Sequence, residues 1–82
     1  MNAKSTPDER FLIKLYETAL ATGDPYATLN YFDVAKLVGL KETAIKNIVK
    51  HLAQANFVKK VDEQEIYLTE RGYHFVLDAI EG

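Results

Sequence analysis

Apolar and polar positions change rhythm several times along the chain, and each change marks an element. Phe11, Leu12, Leu15, Ala19 and Leu20 gather on one side of a helix turning about 100° per residue. Thr6-Pro7-Asp8-Glu9 supplies its start: Thr6 can cap, Pro7 suits the first helical position and Glu9 completes a capping box. The spacing predicts a helix to about Thr22, ended by Gly23 and Asp24-Pro25. Tyr26 to Leu29 reads as a short extended piece. Asn30 then caps a brief helix, with Asp33 in its first turn; Val34, Ala35 and Leu37 give it an apolar side and Gly39 closes it. Leu40 follows as an apolar plug.

The next helix is expected over about 42–55. Ala44, Ile45, Ile48, Val49 and Leu52 fall on one side of it, and Thr43, Lys46, Asn47, Lys50 and His51 on the other. Asn56 stands where a left-handed residue is wanted, and Asn tolerates that conformation better than most. The period then shortens. Phe57-Val58-Lys59-Lys60-Val61 and Glu65-Ile66-Tyr67-Leu68 are rich in β-branched and aromatic residues, with turn-forming Asp62-Glu63-Gln64 between them, which predicts a hairpin. Thr69 caps a last helix, in which Gly72, Phe75, Val76, Ala79 and Ile80 share the face expected to cover the core. The order is helix, strand, helix, helix, hairpin, helix: a mainly α chain with a small β hairpin (α+β). At 82 residues one domain over 1–82 is expected, with residues 1–6 as an arm.

Composition narrows the function classes. No run reaches the roughly 18 apolar residues of a membrane span, and the first ten residues lack a signal's apolar core, so a cytoplasmic protein off the membrane is expected. There is no cysteine, hence no disulfide or thiolate metal site. His51 and His74 fall in different helices without paired ligands, and no nucleophile–base order or glycine-rich phosphate loop is present. An enzyme is not expected, nor a metal or another cofactor. The net charge of −2 is unevenly spread. Between Lys41 and Lys60, five lysines face Glu42 alone; from Val61 onward Arg71 is alone against six acids. A local basic stripe of this kind is compatible with nucleic acid.

The stretches VAKLVGL, KETAIKNIVKHLAQANFV and YLTERG, in this order and spacing, resemble the winged helix-turn-helix domain of bacterial and archaeal transcription regulators. The resemblance spans about Phe11 to Ile80. It implies that the first stretch is the supporting helix and turn, the second the recognition helix entering the wing, and the third the wing's exit into the last helix. A DNA-binding transcriptional regulator, with its third helix in the major groove of double-stranded DNA, is the function it implies. Lys41 stands where such domains often carry a Ser or Thr cap, Asn47 where they often carry Arg, and the wing tip is Asp62, Glu63, Gln64 and Glu65 rather than basic. An acidic tip is repelled by phosphate.

On this reading Lys46 and Lys50 reach phosphates or guanine edges, Asn47 pairs with adenine and Thr43 touches a thymine methyl or a phosphate. Lys59 and Lys60 anchor the wing's base to phosphate, or serve as edge-strand lysines that block strand pairing. The alternative is a winged helix used for protein–protein contact without DNA. Five tyrosines are many for this length, and most should rim the core with their hydroxyls in water. Ile13, Tyr16 and Leu20 on the first helix, with Tyr73 and Leu77 on the last, widen the apolar arcs beyond what one core needs; they are the expected interface of a homodimer.

Overall fold

A computed structural model describes residues 6–81. They form four helices and a three-stranded antiparallel sheet, an α+β arrangement. The first helix, α1 (Pro7–Ala21), begins where the Thr6 hydroxyl accepts the Glu9 N–H at 3.1 Å, and Asp8 and Glu9 lie at the positive end of its dipole. Thr6, counted with the arm in the sequence, is thus the helix cap; the remainder of that arm, residues 1–5, lies outside the described residues. Gly23 ends the helix at φ +103°.

Strand β1 (Leu29–Asn30) passes directly into α2 (Tyr31–Leu37). Asn30 serves both elements: it pairs with Glu65 in the sheet, and its Oδ1 accepts the N–H groups of Phe32 at 2.9 Å and Asp33 at 3.4 Å. Gly39, at φ +70°, turns the chain, and the Leu40 N–H donates to the Ala35 carbonyl at 2.9 Å, tucking Leu40 against the core. Helix α3 (Glu42–Gln54) follows, with no side-chain cap from Lys41. Asn56, at φ 64°, takes the left-handed conformation expected of it.

Strands β2 (Val58–Lys60) and β3 (Glu65–Leu68) form the hairpin, and β3 lies between β1 and β2. Val58 opposes Leu68 and Lys60 opposes Ile66. Helix α4 (Glu70–Glu81) starts with the Gly72 N–H donating to the Thr69 hydroxyl at 3.1 Å. A Cβ on Gly72 would collide with the Phe57 backbone carbonyl and stand 2.9 Å from Leu68 Cδ1, so glycine alone lets α4 approach the hairpin this closely.

Phe11, Leu12 and Leu15 from α1, Val34 from α2, Ile45, Val49 and Leu52 from α3, the inward residues of the sheet and Val76 from α4 form one core. Each fully buried aliphatic side chain contributes about 1.5–3 kcal/mol. Two sequence expectations need correction, those for Leu37 and Ile80, and Tyr31 departs from the other four tyrosines. Leu37 is 61% exposed. The buried arc of α2 includes Tyr31 and is centred between Val34 and Ala35, which turns Leu37 roughly 110° away from it at 100° per residue. Tyr31 is only 4% exposed, and its hydroxyl bonds to backbone rather than to water. Ile80 is half-exposed, because the inward arc of α4, centred on Gly72 and Val76, runs out at the last turn.

Candidate functional site

The polar side of α3 looks onto an open groove of about 740 Å³ between that helix, the start of α2 and the hairpin. Val49 and Ala53 of α3, with Tyr31 and Phe32 of α2, provide its apolar lining. Lys46, Lys50 and Lys60 bring three cations to it, while Glu42 and Glu63 bring two anions. The helical repeat explains the first part of this set: Glu42, Lys46, Lys50 and Ala53 lie within about 80° of one another on α3. Strand alternation explains Lys60. Val58 and Lys60 share the inner face of β2; Val58 enters the core and Lys60 emerges beside α3.

The same alternation separates the two hairpin lysines. Lys59 opposes Tyr67 and lies on the outer face of the sheet, away from the groove, so Lys59 and Lys60 present their side chains to opposite faces. Thr43 and Asn47 are exposed on the crest of α3, next to the groove but outside its lining. None of the six side chains Thr43, Lys46, Asn47, Lys50, Lys59 and Lys60 hydrogen-bonds another described side chain or carboxylate. The ion pair among the described residues is Lys14–Glu17, at 3.4 Å on α1. Three lysines thus line the groove, and among the described residues none of them is within ion-pair distance of a carboxylate.

Sequence reasoning missed how the acidic turn is held. Asp62 Oδ1 accepts the N–H groups of Gln64 and Glu65, each at 2.9 Å. The Gln64 N–H bond does most to hold the Asp62 carboxyl below its ordinary pKa; the hydrogen bond and charge of Asp62 push the Glu65 carboxyl up. Burial, then Glu63 and Asp62, raise the Tyr31 phenol. The signal for the turn was present in the sequence: an Asp opening a polar segment between two strand patterns is a candidate Asx-turn. Nothing in the sequence pattern tied Tyr31 to it.

The remaining candidates lie elsewhere. His51 lines a separate cavity of about 300 Å³ with Asp8, Glu9 and Phe75, and His74 lies on α4 beside Tyr73. Ile13, Tyr16 and Tyr73 are half-buried and packed on the core, Leu77 is half-buried, and Leu20 is 46% exposed. Tyr73 is the centre of a cluster, with the Tyr16 ring at 5.8 Å and the Tyr26 ring at 5.5 Å. No helix among the described residues is long and apolar enough to cross a membrane. No family model, curated protein or solved structure matches this chain.

Proposed function

We propose that this chain is a DNA-binding module of the winged helix-turn-helix type, a transcriptional regulator that lays α3 in the major groove of duplex DNA. In this reading α2 supports α3 across the Gly39 turn, and the β2–β3 hairpin is the wing. The convergence of Lys46, Lys50 and Lys60 on one open groove, with no ion pair to a carboxylate among the described residues, is the observation that carries it. Duplex phosphates would take the place of the counterions around these lysines. Thr43 and Asn47, exposed on the crest of α3 beside the groove, have the hydrogen-bonding groups to meet base edges. Lys59 faces away and is left out of the contact.

Titration of random-sequence duplex at low and moderate salt tests the reading. The wild type binds with a steep salt dependence, and Lys46→Glu or Lys50→Glu removes binding while leaving the unfolding transition in place. Equal binding by both variants sinks the assignment of α3. Absence of duplex binding at low salt favours the second reading, a winged helix used for protein contact. That reading has its own observation in the exposed Leu37 and the Tyr16–Tyr73–Tyr26 cluster, since aromatic and apolar groups mark such surfaces.

A further inference from the structure

The turn between β2 and β3 is tied down, and Tyr31 is the tie. Its N–H donates to the Gln64 carbonyl at 2.9 Å, and its hydroxyl donates to the Glu63 carbonyl at 2.7 Å. The two bonds leave opposite ends of one residue and grip successive peptide units of the turn. Asn30 Nδ2 adds a longer bond to Gln64 Oε1 at 3.5 Å. Inside the turn the Asp62 carboxylate accepts the N–H groups of Gln64 and Glu65, and the Val61 N–H closes the hairpin onto the Glu65 carbonyl at 2.8 Å. Tyr31 itself is anchored: it is buried, and its ring packs against Phe32 with centroids 4.6 Å apart. An exposed four-residue turn with two acids, Asp62 and Glu63, would otherwise sample many positions. Here the Glu63 backbone is held, and its exposed side chain lines the groove that Lys46, Lys50 and Lys60 share.

We propose that Tyr31 is a positioning residue that fixes Glu63 beside the α3 lysines, and that the anion so placed sets a ceiling on how tightly the groove holds duplex phosphate. A negative charge kept at the groove opposes every phosphate brought to the lysines, whereas a turn free to swing outward would carry that charge farther from them, where intervening salt screens it. This inference rests on duplex binding by α3. It adds a residue with no charge of its own to the set that controls that binding.

Four proteins test it in a cycle: wild type, Tyr31→Phe, Glu63→Gln and the double variant, each titrated with random-sequence duplex at low salt. Tyr31→Phe keeps the ring in the core, and Glu63→Gln changes only an exposed side chain. Glu63→Gln tightens binding by about two- to fivefold, the scale of one exposed charge. Tyr31→Phe tightens it too, but adds nothing once Glu63 is Gln, since it acts through the placement of that carboxylate. Hydrogen exchange at the backbone N–H of position 31, which bonds to Gln64, speeds up in Tyr31→Phe. Additive effects, or Tyr31→Phe binding no tighter than wild type, overturn the positioning role. An unchanged affinity in Glu63→Gln overturns it as well, by removing that carboxylate from the field of the phosphates. Wild type that fails to bind duplex at low salt removes the DNA reading itself, an outcome distinct from wild type that binds and variants that do not differ from it.

Discussion

Gly72 and Asp62 show how single residues fix the frame around the groove. At Gly72 the obstacle to a side chain is the Phe57 backbone carbonyl, which cannot swing aside as a flexible side chain would. Gly72→Ala is expected to lower stability by about 1–3 kcal/mol through overpacking, despite the better helix propensity of alanine. Urea unfolding measures it, and an unchanged midpoint would show that α4 can shift at no cost. At Asp62 the expected effect depends on pH. The unfolded chain binds the Asp62 proton more readily than the folded chain does. Stability from its ionised form is therefore complete above the ordinary Asp value and is lost as pH falls through the lower folded value. Glu65 runs the other way: its raised value gives a contribution present below the ordinary Glu value and lost as pH rises through the folded one. In an NMR titration the Gln64 N–H should respond with a midpoint below the ordinary Asp value, and the Glu65 carboxyl with one above the ordinary Glu value. A single common midpoint would deny the opposite shifts of the two carboxyls.

At the scale of elements, the four helices were legible because their ends are written in local chemistry: Thr6, Asn30 and Thr69 accept the N–H groups their positions predict, and Gly23, Gly39 and Asn56 take the left-handed turns. Faces were legible where the helix is long. α3 buries Ile45, Ile48, Val49 and Leu52 as its periodicity requires. The seven residues of α2 hold too few turns to fix a phase, and Leu37 was placed on the wrong side for that reason. The hairpin was legible as an element, but the third strand pairing and the docking of its turn on Tyr31 depend on contacts more than 30 residues apart in sequence, which no local pattern encodes. This has a consequence for the candidate site. The α3 lysines follow from a wheel; the division of Lys59 from Lys60 follows from strand alternation, and the pairing of β2 with β3 decides which of them faces the groove. Lys60→Glu should therefore weaken duplex binding and lower the salt slope by about 0.9 if one phosphate contact is lost, whereas Lys59→Glu should leave the slope nearly unchanged. Equal effects from the two reversals would show that the outer sheet face also touches DNA.

At the scale of the whole molecule, the apolar surplus on α1 and α4 has partly found partners within the chain. Tyr16 and Tyr73 pack on the core and on each other, and Tyr26 closes over Tyr73 from the loop after α1. What stays open is Leu20 and Ile80, each about half-exposed, with Leu77 and Ile13 half-buried. A domain this small buries a modest share of its chain's surface, so covering these residues in a two-fold pair would add stability where the core supplies little. A pair joined through α1 and α4 would also carry two copies of α3, as half-sites about one turn of DNA apart require. The expected outcome is a dimer at micromolar concentration in sedimentation equilibrium, converted to monomer by Leu20→Lys or Leu77→Lys. Leu20 tests the open residues and Leu77 the half-buried ones. Leu37→Lys serves as the control: it is the most exposed large apolar side chain among the described residues but lies on α2, and the pairing through α1 and α4 predicts that it leaves the mass unchanged. A monomer mass for the wild type at these concentrations would mean that the tyrosine cluster already completes the surface, and a monomer produced by Leu37→Lys would move the interface to α2.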